Sequence, residues 1–425
     1  GSNGFKLQQI PDFEKYKFTD VTASFFFDAD QDGDQDLFVG GGGNTAPAAS
    51  DIYQNQLYLN DGKGGFTLKS GSFLISHTNC GIAIPLDYDK DGKLDIFIGS
   101  RSEPQQYGIA PKSFLYHNEG NGNFKEVSAT VAPFLMNLGM ITGAVYANVM
   151  GSSEPELVIT GEWMYPHIYT FNGKQFIEQK SGLENQLGWW QTVVAADIDN
   201  DGDTDLVLGN LGENFYLRAS NNAPVKVYLK DFDKNGTIEK IFSHTINGED
   251  MPVFLKKDIT EQLPALKKEN LKHQDFAPKT IQALFPNNLS DATVLTVNTA
   301  ASIIAINNSN KGFTVQPLPY QLQLSSIQAL VVDDINKDGN KDILAAGNFF
   351  DLLPQFCSID ASYGNLLLGN GKGGFIVAKP QQSGISINGQ IKQVLPLQVK
   401  NQPGYLFLQN NQHPLYLRKT NAGKK

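Results

Sequence analysis

Five times this chain sets carboxylates and amides at alternate positions around a glycine, and the clusters run straight into β-branched or aliphatic stretches. The first holds Asp28, Asp30, Asp32, Asp34 and Asp36 around Gly33, then Leu37-Phe38-Val39-Gly40. The second holds Asp87, Asp89, Asp91, Lys93 and Asp95 around Gly92, then Ile96-Phe97-Ile98-Gly99. The third holds Asp197, Asp199, Asp201, Asp203 and Asp205 around Gly202, then Leu206-Val207-Leu208-Gly209. The fourth holds Asp231, Asp233, Asn235, Thr237 and Glu239 around Gly236; the fifth holds Asp334, Asn336, Asp338, Asn340 and Asp342 around Gly339. Like charges at this density repel one another unless a cation sits between them.

The spacing specifies the cation. Oxygens at loop positions 1, 3, 5 and 9, with a backbone carbonyl at 7, follow the first part of a calcium loop, and the glycine at 6 permits the turn that bends them inward. Hard oxygen donors without His or Cys suit Ca²⁺ far better than Zn²⁺ or copper, and Mg²⁺ resists dehydration. The Glu expected at position 12 of a helix-flanked loop is replaced by Val39, Ile98 and Leu208, so a strand follows each loop instead of a helix. About five strand–loop–strand Ca²⁺ sites are therefore expected. Ordinary Asp/Gly turns would account for one such loop but hardly for five in register.

The charge balance agrees. The loops hold five, four, five, three and three acids, 20 of the chain's 44, and the formal net charge is −10. Five Ca²⁺ would bring the loaded protein close to neutrality, and no basic run long enough to follow nucleic-acid phosphates occurs. No apolar run approaches the roughly 20 residues that cross a bilayer. Gly1-Ser2 reads as a tag remnant within a linker at 1–4, which is consistent with a removed export signal or lipid anchor. Cys80 and Cys357 give no disulfide framework. Loops of middling affinity fill where free calcium is millimolar, so an extracytoplasmic protein, at the outer membrane and cell surface or secreted, is expected.

A second element recurs beside the loops. Leu57-Tyr58-Leu59-Asn60-Asp61-Gly62-Lys63-Gly64-Gly65-Phe66 returns at 114–124 and at 366–375, and reads as apolar strand, Asn/Asp-Gly turn, apolar strand. A worn loop (Asn148, Met150, Ser152, Glu154, Glu156) keeps its strand but has lost most ligands, and no metal is expected there. Four strands every 50 to 60 residues is the period of a propeller blade. The expected fold is all-β: one β-propeller domain over 5–420, of seven four-stranded blades at about 20–68, 79–127, 140–178, 191–230, 231–316, 327–378 and 390–418. Residues 5–18 would complete the last blade and so close the ring. Helical spacing and prolines over 255–287 predict short helices packed on the rim.

The loops followed by these hairpins resemble FG-GAP/VCBS repeats of calcium-binding propellers, the repeat type of integrin α-chain heads. Gly161-Glu162-Trp163-Met164, Gly188-Trp189-Trp190, Gly209-Asn210-Leu211-Gly212-Glu213-Asn214, the string 230–236 and Asp360-Ala361-Ser362-Tyr363-Gly364 are similar to a bacterial ASPIC/UnbV-related subgroup common in Bacteroidota. The resemblance implies an exported or surface-attached calcium propeller, frequently a lipoprotein, and implies no defined reaction.

Connections after the second strand of each unit should gather on the face opposite the loops. They bring Arg101, Glu162, Trp163, Asn210, Asn214 and Asn348 around one entrance, a set suited to a sugar or an extended polar polymer. Trp163, Trp189 and Trp190 could equally be core between blades, and Arg101 with Glu162 a structural ion pair. Catalysis lacks support: the six histidines show no metal-ligand spacing and no Gly-x-Ser-x-Gly elbow occurs. The leading function is a non-catalytic binding or assembly module meeting an envelope protein or surface polysaccharide. The alternative is a calcium-dependent polysaccharide lyase or hydrolase.

Overall fold

The computed structural model describes residues 8–419 apart from 48–49, 153, 353–355 and 357. Residues 1–4, expected to be a tag remnant, and Cys357 lie outside the described residues. Six antiparallel sheets follow one another along the chain. The first is Asp20–Phe27, Asp36–Gly42, Gln56–Asn60 and Phe66–Leu68. The second is Asn79–Leu86, Asp95–Ser102, Phe114–Gly120 and Asn123–Glu126. The third is Met140–Ala147, Glu156–Met164, His167–Phe171 and Phe176–Glu178, with Gly188–Trp189 added beside the second strand. The fourth is Thr192–Ala196, Asp205–Gly209, Ile303–Asn307 and Phe313–Pro317. The fifth is Ile327–Asp333, Asp342–Gly347, Asn365–Gly369 and Phe375–Val377; the sixth has three strands, Ile391–Val399, Gln402–Gln409 and Leu415–Arg418.

Each acidic loop of these sheets joins a first strand to a second strand. In the third and fifth sheets, which have a sheet against either face, the second strands Glu156–Met164 and Asp342–Gly347 are buried along their whole length. The apolar cores lie between consecutive sheets. Phe27, Phe38 and Leu57 of the first meet Ile96, Ile98 and Phe114 of the second, and comparable cores join second to third, third to fourth, fourth to fifth and fifth to sixth.

In the first, second and fourth sheets the glycine closing the apolar run lets the next sheet approach. A Cβ on Gly40 would lie 2.6 Å from Cys80 Sγ, and one on Gly209 would lie 2.3 Å from the backbone oxygen of Ile327. Gly209→Ala is expected to lower stability by about 1–3 kcal/mol, read from the denaturant midpoint, because a backbone atom must give way.

The expected succession of units fails between 191 and 316. Asp205–Gly209 pairs with Ile303–Asn307 and not with Val225–Lys230. Residues 210–302 are an insertion carrying a sheet of its own, in the order Glu249–Pro252, Glu239–Ile246, Val225–Lys230 and Thr293–Val297. Seven sheets therefore exist among the described residues, but five have four strands, one has five and one has three, and one is nested inside another. The helices within 255–287 are present as Lys256–Gln262, Ala265–Glu269, His273–Phe276 and Ile281–Leu284. They cover one face of the inserted sheet: Ile259, Leu266, Phe276 and Ile281 pack on Tyr228, Phe232 and Ile241, which a four-stranded sheet standing alone would leave in water. The described part of 5–18 supplies no strand to the sixth sheet. It forms the turn Pro11–Glu14 on the first sheet, with the Phe13 ring 4.7 Å from Tyr58 and Asp12 Oδ2 accepting the Leu68 N–H at 2.7 Å.

Candidate metal loops and the opposite end of the sheets

All five loops fold alike. The carboxylate at position 1 accepts the N–H of the glycine at position 6: Asp28 from Gly33, Asp87 from Gly92 and Asp197 from Gly202 at 3.1 Å, Asp231 from Gly236 at 2.8 Å, Asp334 from Gly339 at 3.0 Å. Those glycines have φ between +84° and +95°. Position 4 is also left-handed, in Gln31, Lys90, Asn200, Lys234 and Lys337, a strained choice for residues with a side chain. Position 7 side chains lean outward, Asp203 toward Ser309 and Asn340 toward Asn200, consistent with a carbonyl role at that position.

Position 9 has a second task that spacing alone does not reveal. Asp205 is fully buried and accepts the Ile198 N–H at 2.8 Å and the Asn307 N–H at 2.7 Å, tying loop to second and third strands. Asp36, Asp95 and Asp342 do the same with Ala29 and Asn60, Tyr88 and Asn118, and Ile335 and Gly369. The worn copy keeps this tie through buried Glu156, whose Oε2 accepts the Val149 N–H at 2.8 Å, and Ser152 Oγ donates to its Oε1 at 2.8 Å. A hydroxyl there satisfies the carboxylate oxygen, as expected of a loop without an ion. Glu156→Ala should therefore destabilise the protein while leaving its calcium content unchanged, a pair of readings that thermal melting and metal analysis provide.

Ligand atoms of Asp28, Asp30 and Asp32, of Asp87, Asp89 and Asp95, of Asp197, Asp199 and Asp205, and of Asp231, Asp233 and Glu239 lie within 4.8 Å of one another in each group. In the fifth loop Asn336 stands in place of an acid, and its Nδ2 donates to Asp338 at 2.9 Å. Asp87 Oδ1, Asp197 Oδ1 and Asp199 Oδ1 are buried without a hydrogen-bond partner among the described residues. Burial first, and like charges after it, push up the carboxyls of Asp30 and Asp199. Burial also pushes Asp95 up to about 7 and Asp205 to about 6. Crowded, desolvated and partly orphaned oxygens of this kind fit a hard divalent cation.

One neighbour of the second loop was not legible. Pairing of Ile96 with Tyr116 brings His117 over it, with Nδ1 3.3 Å from Asp89 Oδ2 and 3.2 Å from Asp95 Oδ1, so the expectation that no histidine lies near a metal loop is corrected. The Lys93 ammonium pairs with Asp91 and holds its carboxyl below the usual range. Only strand pairing, not local spacing, could have found His117.

Loops at 28, 87, 148, 197 and 334 share one end of the sheets. Asn118 Nδ2 reaches the Ala29 carbonyl at 3.1 Å, Asn307 Nδ2 reaches that of Val149 at 2.9 Å, Lys90 pairs with Glu154, and Asn200 Nδ2 donates to Asn340 Oδ1 at 3.2 Å. The fourth loop is apart from them, on the inserted sheet, where Phe232 packs 4.4 Å from Phe285.

At the other end, Arg101 Nε and Nη2 donate to Glu162 Oε1 at 3.2 and 2.7 Å. Glu162 is buried, whereas 43% of the Arg101 side chain is exposed. Three of the other residues expected at an entrance, Trp163, Asn210 and Asn348, turn inward. Trp163 is buried by the insertion, its Nε1 donating to Tyr107 and its ring 5.4 Å from Trp189; Trp190 is fully buried. Asn210 Nδ2 donates to the Thr299 and Ala301 carbonyls while its Oδ1 accepts the Trp189 and Leu211 N–H groups. Asn348 is likewise filled by Ser325, Ser362 and Gly389. Neither amide retains capacity for a ligand. Asn214 is exposed and caps the Leu324 carbonyl at 3.3 Å.

Residues 28–98 and 148–208 match the FG-GAP-like repeat family, and residues 189–229 match the FG-GAP repeat family. The chain thus carries FG-GAP repeats, and the matched stretches contain the first three acidic loops and the worn copy. No curated protein matches the sequence. Similar solved structures include the V. cholerae biofilm matrix protein Bap1, with TM-score 0.34 and 11% identity over 95% of this chain and 77% of that one. Rhamnogalacturonan lyase YesW is similar at TM-score 0.35 and 13% identity, over 94% of this chain and 71% of that one. Neither likeness is close enough to assign this chain a fold or a function. Among the described residues no helix is long and apolar enough to cross a membrane.

Proposed function

We propose that this protein is a calcium-stabilised extracytoplasmic propeller whose serial sheets are blades, and that it acts as a binding module of the cell envelope. The observation that carries the metal is the set of buried, unpartnered carboxylate oxygens at Asp87, Asp197 and Asp199. Inter-sheet cores in unbroken series from the first sheet to the sixth support the ring. The FG-GAP repeats and the ASPIC/UnbV-like strings support export, with a lipid anchor as the means of attachment. Calcium clamps one end of the sheets and leaves the Arg101 end for a surface polysaccharide or envelope protein. Polysaccharide cleavage at the same end is the second reading.

Calcium titration into the stripped protein, followed by a binding screen against purified envelope polysaccharides, tests the proposal. Uptake of several Ca²⁺ with retention of an uncleaved polymer is the expected result. No calcium uptake would overturn the metal, and product release would favour the enzyme.

A further inference from the structure

We propose that the second acidic loop takes Zn²⁺ in place of Ca²⁺, with His117 Nδ1 as the ligand that sets it apart from the other loops. This rests on the metal reading above and names the ion that one of its loops holds.

The difference begins in the third strands. The residue whose N–H donates to the position 9 carboxylate is Asn60 in the first sheet, Asn118 in the second, Asn307 in the fourth and Gly369 in the fifth. The residue just before it is Leu59, Ile306 or Leu368 in three of these sheets and His117 in the second. An aliphatic side chain at that point can only pack, whereas an imidazole can ligate a metal. Strand register holds His117 there: Tyr116 pairs with Ile96 on one side and with Glu126 on the other, and the Tyr88 ring stands edge-on to the imidazole at 6.2 Å.

The nitrogen is placed for a cation. His117 Nδ1 is buried and makes no hydrogen bond among the described residues, although Asp89 Oδ2 and Asp95 Oδ1 lie only 3.3 and 3.2 Å away. It therefore points squarely at neither oxygen, as a proton shared with one of them would require. A metal ion lying among the three atoms satisfies all of them. Ligands at roughly 2.0–2.1 Å from a tetrahedral Zn²⁺ sit about 3.3 Å apart, which is the spacing found here. Asp89 belongs to two groups of ligand atoms that each lie within 4.8 Å, one with Asp91 and His117 and one with Asp87 and Asp95. Asp87 Oδ1 is itself buried without a partner. The acid at position 5, Asp91, is engaged by the Lys93 ammonium. This loop has thus had one oxygen drawn off and one nitrogen brought in. Ca²⁺ takes oxygen donors, while a set of imidazole and carboxylates suits Zn²⁺. The His117 side chain is 24% exposed, so the ion has a way in from solvent.

The test is calorimetric titration of ZnCl₂ into the full chain in calcium buffer, with metal analysis after dialysis, on the parent and on His117→Leu. Leucine is the residue that two of the equivalent positions already hold, so the variant should fold and melt like the parent. The parent should retain one Zn²⁺ in the presence of calcium. His117→Leu should bind it about tenfold or more weakly, as loss of a metal-site residue does, with its calcium content no lower than the parent's. Equal zinc uptake by parent and variant would mean an adventitious ion only and would overturn the proposal. Calcium uptake with no zinc retained would overturn it too, making His117 a counter-charge and leaving the calcium reading standing. Zinc bound through His117 with no calcium taken up by any loop would uphold the proposal and remove the calcium reading; if neither ion binds, both fall.

Discussion

Stripping calcium is expected to lower the melting temperature by about 10–15 °C. An ion held at one hundred times its Kd by the folded state alone contributes about 2.7 kcal/mol, so five loops exceed about 10 kcal/mol, at roughly 1–2 °C per kcal/mol in a chain this long. The stripped protein should also show a characteristic pH dependence. Burial holds the Asp95 carboxyl up at about 7 and that of Asp205 at about 6. A carboxyl raised in the folded state binds more protons there than in the unfolded chain. Its stabilising contribution is therefore complete below the unfolded value near 3.8 and is lost as pH rises through about 6–7. In chelator, melting should occur at a higher temperature at pH 5 than at pH 8. With calcium present, protons compete with the ion and the trend should flatten or reverse. Scanning calorimetry at both pH values, with and without chelator, checks this; parallel curves would show that the loops are ordinary acidic turns.

Much of this arrangement is legible in the chain itself, because it is local. Alternating Asp residues, a glycine at position 6 and the apolar run that follows define loop and second strand within a dozen residues. The helices over 255–287 announce themselves by spacing in the same way. What escaped is set by distant pairing. Val225–Lys230 and the loop after it imitate the next repeat so closely that the insertion of 210–302 is invisible until Asp205–Gly209 is seen beside Ile303–Asn307. Burial of Trp163 owes much to that insertion, since Phe242 of the inserted sheet packs against its ring. The approach of His117 to Asp89 depends on strand register. None of these is encoded in a spacing.

The contrast between position 3 and position 9 separates metal binding from scaffold. Asp205→Ala removes the acceptor of two buried N–H groups, those of Ile198 and Asn307, as well as an ion ligand. Leaving each donor unpaired costs about 1–3 kcal/mol, so a loss near 4 kcal/mol should persist in chelator. Asp199 accepts no such pair; burial and the Asp201 charge already disfavour its ionised form. Asp199→Asn should therefore destabilise the calcium-loaded protein and stabilise the stripped one, because the repulsion it relieves is felt only when no cation is present. Urea unfolding of both variants in calcium and in chelator gives four values, and the sign change at position 199 is the decisive one. A destabilisation of Asp199→Asn that is equal in both conditions would mean that the carboxylate serves the fold directly and that no ion lies beside it.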